Sequence, residues 1–346
     1  MKTLKRFLFL FVGLGLLVSC SKSDDLFFED DPGSLKCANV HDGTHPHGLD
    51  QDRFVMMKDL DLRVHYRIIG KGPIDVVFIP GWTNPLTVYT KQFDYFRDKA
   101  RCIYIDLPGT GLSDAPTPNT PLAPIPDGPE YTMELMADAV YAVIKKEGLH
   151  KFVGVGFSMG PKVLGMFERN YPGFMSKLVV IDGGFNPWPT EEPARSDFIA
   201  LREATYLAML TWDAAVKEAV GATLIPPTLE GPDADELREW GAYFLLFPSD
   251  ILANTSYHSA AENANEPVGW MYPKLCFYSN PPNMDKVNWI YPNNTVYTFP
   301  DGGHVIHWIF HEDINPIIWD FINDHPGKKH KYHPGHKHKN HPGRKH

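Results

Sequence analysis

A serine hydroxyl is a poor nucleophile near neutral pH; it reacts only where a base takes its proton and an acid orients that base. The serine placed for such chemistry is Ser158, in Gly156-Phe157-Ser158-Met159-Gly160. Before it, Phe152 to Val155 is a short apolar run that reads as a buried strand, and after it Pro161 to Tyr171 reads as a helix. Strand, sharp turn and helix are the context of a nucleophile elbow. Such a turn strains its central residue and needs small neighbours two positions away, here Gly156 and Gly160. Pro161 suits a first helical turn, where its missing N–H costs little. In a chain with 28 glycines a bare G-x-S-x-G is a weak signal, so the flanking elements carry the reading. The base expected is His304, in the Gly-rich Asp301-Gly-Gly-His304 after the last strand-like run. His307 and His311 are alternatives, but their +3 and +7 spacing beside Trp308 suits a lid-contacting or core role better.

The elements that must position these groups alternate. Phe54 to Met57 and Leu62 to Ile69 read as a hairpin closed at Asp59–Asp61, and Asp75 to Ile79 as a buried strand ending in Pro80-Gly81-Trp82. A helix near Tyr89 to Arg97, a strand over Cys102 to Asp106 and a helix from Thr132 to Lys146 lead to the elbow. Beyond it, Lys177 to Asp182, Lys274 to Tyr278 and Thr295 to Phe299 read as strands, and Lys286 to Ile290 and Asn315 to Ile322 as helices. Strands alternating with helices at this spacing predict an α/β fold with a mostly parallel sheet. Residues 185–270 abandon the alternation for helical, aromatic segments, with Trp188, Trp212, Trp240, Phe244, Phe247 and Trp270 candidates to line an apolar pocket.

Composition sets the wider bounds. The 346 residues suffice for one large α/β domain, and 43 % hydrophobic content excludes a disordered chain. The net charge of −9 is uneven: residues 20–324 hold 23 basic against 42 acidic side chains, whereas residues 325–346 hold seven Lys/Arg and no acid. An acidic body argues against nucleic acid as a partner. Four widely spaced cysteines fit neither a zinc site nor a disulfide framework, and Cys102 and Cys276 read as core residues. The first 19 residues have a basic start and an apolar run, Phe7 to Val18, too short for a comfortable membrane span. Residues 20–52 read as a tether; His41, His45 and His47 there read as solvated rather than as metal ligands. Residues 324–346 carry an eight-residue repeat beginning His-Pro-Gly, too polar to pack. Its seven histidines suit weak divalent-metal binding, an anionic surface once protonated, or a solvated tail with no specific ligand.

Three marks, Asp106-x-Pro-Gly109-x-Gly111-x-Ser113, Gly156-x-Ser158-x-Gly160 and Asp301-Gly-Gly-His304, occur in an order and at distances that resemble the α/β-hydrolase superfamily over roughly residues 53–323. The resemblance implies a core over residues 53–184 and 271–323, a helical lid over residues 185–270, and no cofactor. It implies an oxyanion hole from the backbone N–H groups of Trp82 and Met159, although the usual His-Gly before that loop is here Pro80-Gly81. The acid's usual position follows the strand 274–278 and would bring in Asp285; an alternative position in some relatives is Asp182, 24 residues after the serine. Asp182 is preferred, with a capping role in the Gly183-Gly184 turn as its competitor. A serine in the elbow argues against the aspartate-nucleophile chemistry of haloalkane dehalogenases and epoxide hydrolases. The expectation is a carboxylesterase or lactonase acting on a small to medium, partly apolar ester. A proline iminopeptidase-like peptidase is the alternative enzyme, although its usual Gly-Gly-Ser-Trp-Gly elbow is absent, and a non-catalytic ligand-binding surface lipoprotein is the alternative of another class. Leu17-Val18-Ser19-Cys20 resembles the lipobox of bacterial lipoproteins, which implies a cleaved leader over residues 1–19, lipidation of Cys20 and a lipid anchor to the outer membrane, facing the periplasm or the cell surface.

Overall fold

A computed structural model describes residues 50–119, 128–183, 189, 191–223, 236–237, 247–261, 272–300 and 302–323. Cys20, the expected tether up to residue 49 and the His-rich tail lie outside the described residues, as do Trp188, Trp240, Phe244 and Trp270. Gln51 and Asp52, expected in the tether, instead pair with β2 as the start of the first strand.

Among the described residues, eight strands form one sheet: β1 (Gln51–Met57), β2 (Leu62–Ile69), β3 (Asp75–Ile79), β4 (Arg101–Ile105), β5 (Phe152–Phe157), β6 (Met175–Ile181), β7 (Lys274–Tyr278) and β8 (Asn294–Thr298). Their spatial order is β1-β2-β4-β3-β5-β6-β7-β8. The hairpin β1–β2 is antiparallel, β2 joins β4 antiparallel, and every later pairing is parallel. This is the α/β-hydrolase fold. The hairpin closes through a single 3-10 turn, with Asp61 at φ 45° taking the left-handed position that an Asp tolerates.

Helices cover both faces because the strand side chains alternate. Val77 and Ile79 of β3 face one core, built with α2 (Met133–Lys146) and α3 (Gly160–Asn170). Val76 and Phe78 face the other, built with α1 (Thr90–Arg97) and the C-terminal helix over His311–Ile322. Buried on both faces, β3 through β6 read in sequence as continuous apolar runs. Thr132 caps α2 by accepting from the N–H of Leu135. Between β6 and β7 the described helices are α4 (Ala194–Leu210), α5 (Ala214–Thr223) and α6 (Ser249–Ala261). After β7 come α7 (Met284–Ile290), the single turn α8 (Ile306–Ile309) and α9 (His311–Ile322). Helix α9 starts four residues before the expected Asn315, with Pro316 inside it, because Ile314 and Asn315 are already buried. Among the described residues no helix is long and apolar enough to cross a membrane. Cys102 and Cys276 are buried free thiols, and burial pushes each up to about 12.

The winding direction of the sheet reverses between β3, which continues to β4 on one side, and β5, which continues to β6, β7 and β8 on the other. In open α/β sheets the crevice at the carboxyl ends of such strands is where ligands bind. Trp82 follows β3 there, and Ser158 follows β5.

Candidate active site

Ser158 ends β5 at φ 54°, in the left-handed region that non-glycine residues rarely adopt. Such a conformation costs on the order of 1 kcal/mol or more and persists only where its surroundings enforce it. Here the Ser158 N–H donates to Ile181 O at 2.9 Å, tying the turn to the end of β6. A Cβ on Gly160 would sit 2.3 Å from Ile79 O, and one on Gly156 would sit 2.5 Å from Pro161 N. Both flanking glycines are therefore required by close backbone approach. A Cβ on Gly81 would meet Ser158 Cβ at 2.9 Å, so the chain leaving β3 runs against the serine and sets Trp82 beside it. Thr83, at φ 65°, completes a tight turn in which Asn84 N–H donates to Gly81 O at 3.2 Å.

The groups expected to work with Ser158 converge on it. His304 Nε2 lies 2.8 Å from Ser158 Oγ, and His304 Nδ1 lies 2.6 Å from Asp182 Oδ2. A carboxylate only accepts hydrogen bonds, so Nδ1 carries the ring proton and Nε2 turns its lone pair to the serine hydroxyl. Asp182, at φ 41° just beyond β6, also accepts from Ser279 N–H at 2.8 Å and from Ser279 Oγ at 3.0 Å. The loop after β7, the usual home of the acid, thus contributes a serine that holds the carboxylate of Asp182. Asp285 is exposed in the first turn of α7, whose N-cap is Asn283 accepting from Lys286 N–H. No contact of His304 involves Asp285; the imidazole nitrogens are taken by Asp182 and Ser158. Met159 follows Ser158 as the N-cap of α3, at the positive end of that helix.

His307 takes the core position. It is fully buried and donates from Nε2 to Val88 O at 3.2 Å. Burial pushes its pKa down to about 3, so it stays neutral. The Phe157 ring separates it from His304, with centroids 4.9 Å from His304 and 4.4 Å from His307. His311 Nδ1 pairs with Trp308 O at 2.8 Å, a local helical contact.

A second buried cluster supports the site from below, and the sequence reading missed its role. Asp106 Oδ1 accepts from Leu86 N–H at 2.6 Å, in the loop after β3, and Oδ2 accepts from Leu112 N–H at 2.9 Å. The same Oδ2 meets His65 Nδ1 at 2.7 Å. Ser113 Oγ donates to Asp106 O and accepts from His65 N–H. One carboxylate thereby pins the two loops that flank the serine. The signal available in sequence was a charged residue closing an apolar strand immediately before a Gly-rich loop.

Helix α6 lies over this end of the sheet. The Trp82 indole N–H donates to Leu252 O at 3.2 Å, and Asn254 Oδ1 accepts from Tyr131 N–H at 2.7 Å. Trp212 packs beside Tyr206, Met209 and Ala253, and Phe247 is buried. Among the described residues no group of three or more His, Cys, Asp or Glu side chains is arranged to hold a metal ion.

Comparison with known proteins agrees with the fold. Residues 76–225 match the family model of the alpha/beta hydrolase fold. A 2-hydroxy-6-oxononadienedioate/2-hydroxy-6-oxononatrienedioate hydrolase of Paraburkholderia phymatum is 30 % identical over 145 residues, 38 % of this chain and 46 % of the relative. Epoxide hydrolase 4 of Mus musculus is 25 % identical over 130 residues, 37 % of this chain and 34 % of the relative. The chain thus spans less than half the length of these curated relatives. Among solved structures, a malate-bound thermophilic esterase from Thermogutta terrifontis superposes with a TM-score of 0.65 at 20 % identity, over 79 % of this chain and 98 % of that one. An esterase from Exiguobacterium antarcticum gives 0.63 at 18 % identity, over 79 % and 100 %. Family model and structural neighbours together support the α/β-hydrolase superfamily.

Proposed function

We propose that the chain is a serine hydrolase that cleaves a small to medium, partly apolar carboxylic ester or lactone through an acyl-enzyme. The observation that carries this reading is the hydrogen-bonded line from Ser158 Oγ through the His304 imidazole to Asp182. In it, Ser158 Oγ attacks the acyl carbon while Nε2 accepts the hydroxyl proton, and Asp182 stabilises the imidazolium that forms. The oxyanion is held by the N–H groups of Trp82 and Met159, donors whose loss typically costs about 3 kcal/mol of barrier. The imidazolium then protonates the departing alkoxide, and a water deprotonated by Nε2 releases the acid. Helices α4, α5 and α6, within residues 185–270, serve in this reading as the lid that selects the acyl group. The curated relatives include epoxide hydrolases; the serine at the elbow favours acyl transfer over opening of an epoxide by a carboxylate.

A fluorophosphonate probe tests the reading. Labelling of the folded protein is expected, with loss in Ser158→Ala, together with turnover of p-nitrophenyl esters of graded chain length. A folded protein that neither takes the probe nor cleaves any ester or lactone would instead be a binding protein on this scaffold.

From Leu17-Val18-Ser19-Cys20 we infer a lipoprotein anchored through Cys20. Metabolic labelling with a clickable fatty acid should mark the wild type and not Cys20→Ala; equal labelling would dismiss the anchor.

A further inference from the structure

Two cations lie beside the elbow, and among the described residues no anion answers them. Lys162 is the third residue of α3, one turn beyond Ser158, and its Nζ donates to Ser259 O at 2.6 Å. Arg202 of α4 donates through Nη2 to Ser256 O, one turn earlier on α6. Its Nε is buried and has no hydrogen-bond partner. Among the described residues no carboxylate pairs with either side chain. Burial lowers the pKa of both, and Arg202 adds to the depression at Lys162, to about 8.

Such an arrangement is costly. Taking a charge out of water without an opposite partner disfavours folding by several kcal/mol in ordinary cases. Two like charges on neighbouring helices add repulsion. The Ser256 and Ser259 carbonyls offset part of this as hydrogen-bond acceptors. They leave an unpaired guanidinium N–H, and among the described residues no carboxylate compensates the two positive charges. A carboxylate is the group that answers all of these at once, through charge-assisted hydrogen bonds.

The position is suited to substrate. Helix α6 touches Trp82 through Leu252 and reaches the cations seven residues later, through Ser259. At 1.5 Å per residue the two contacts lie about 10 Å apart along the helix. That is the span of a short extended acyl chain from a carbonyl beside Ser158 and Trp82 to a distal anionic group.

We propose that Lys162 and Arg202 bind a carboxylate at the far end of the acyl group, so that the preferred substrates are half-esters of dicarboxylic acids, or lactones bearing a carboxylate. This rests on the hydrolase reading for the bond that is cleaved.

The test uses the full chain and p-nitrophenyl half-esters of glutaric, adipic and suberic acid, each against its neutral methyl diester. For at least one length the wild type should favour the anion by about tenfold or more in kcat/KM, as a charged hydrogen bond allows. That ratio should fall toward one in Lys162→Met and in Arg202→Gln, and Lys162→Arg should keep it. If the methionine variant does not fold, Arg202→Gln and Lys162→Arg still decide. No anion preference at any length, or a preference unchanged in the variants, overturns the proposal and leaves the two cations as structural donors to α6. Calorimetry of the free dicarboxylates with Ser158→Ala separates the two readings. Lys162-dependent binding without esterase activity in the wild type would sink the hydrolase reading alone. Ester cleavage without anion preference and without dicarboxylate binding would sink this proposal alone.

Discussion

At the scale of single residues, the choice between two carboxylates has measurable consequences. Asp182 fixes which imidazole nitrogen carries the proton, so Asp182→Asn is expected to lower kcat by orders of magnitude through the wrong tautomer. Asp285→Asn should leave kcat within about twofold, since the side chain is exposed on α7 and has no link to His304. Ser279→Ala removes the hydroxyl from Asp182 but keeps the backbone N–H; a fall of about tenfold or less in kcat is expected. A single ester assay over the three variants checks the order. Ser158 and His304 act as one unit in the proposed mechanism, so the double alanine variant should be hardly slower than either single one. Multiplication of two large losses would break the assignment. The serine and histidine were legible because each sits in a glycine-marked turn of fixed context. The acid was legible only as a pair of options, because selecting between them depends on how β6 and β7 are aligned, which no local pattern states.

Elements hold these residues in register, and Asp106 shows how. Its buried carboxylate joins the loop after β3, the loop after β4 and the buried His65 of β2. Asp106→Ala would leave two backbone N–H groups and an imidazole unanswered, an expected loss of roughly 3–5 kcal/mol in unfolding free energy. Asp106→Asn keeps the shape and one acceptor, and should lower kcat more than it lowers Tm, because the loop carrying Trp82 is what it releases. Denaturant titration beside ester kinetics reads both, and a pure stability loss would reduce Asp106 to a core residue. Strands β3 and β7 coincide with their expected limits, and the helix α2 fills the expected stretch from Thr132 to Lys146 except that Thr132 caps it instead of opening it. Their signals are local: β-branched runs buried on both faces, a capping threonine, an amphipathic stripe. The network around Asp106 is not local. Its partners at 65, 86 and 112 are scattered in sequence, and only the crossing of β2, β3 and β4 gathers them.

At the scale of the whole molecule, His307 and Glu147 each contribute to behaviour in acid. His307 has its folded pKa pushed down to about 3 from an ordinary 6.5, so the unfolded chain takes up a proton that the native state refuses. Stability from this source is therefore complete above 6.5 and falls as pH drops toward 3, by as much as ~1.4 kcal/mol per unit. His307→Phe should flatten that slope between pH 6.5 and 4 in urea titrations; an unchanged slope would place the titration elsewhere. Glu147 acts lower. Burial raises its carboxyl, but Tyr66, Arg53 and Arg101 outweigh that and hold it below its ordinary 4.5. Its contribution is present above 4.5 and is lost as pH falls through the depressed value. Acid sensitivity should thus appear in two stages, the first removable at 307 and the second at 147.

The three groups proposed to react are unevenly distributed along the chain. Ser158 and Asp182 close two adjacent strands joined by one helix, whereas His304 comes from a loop beyond β8. A ribosome releases the chain from its N-terminus, so the sheet through β7 can assemble while the imidazole is still unmade. During that interval the serine has no base. Synthesis itself then acts as a timer: in the proposed mechanism the serine stays without its base until the last segment docks, and a chain interrupted before residue 304 lacks both that base and the C-terminal helix that completes one of the two cores.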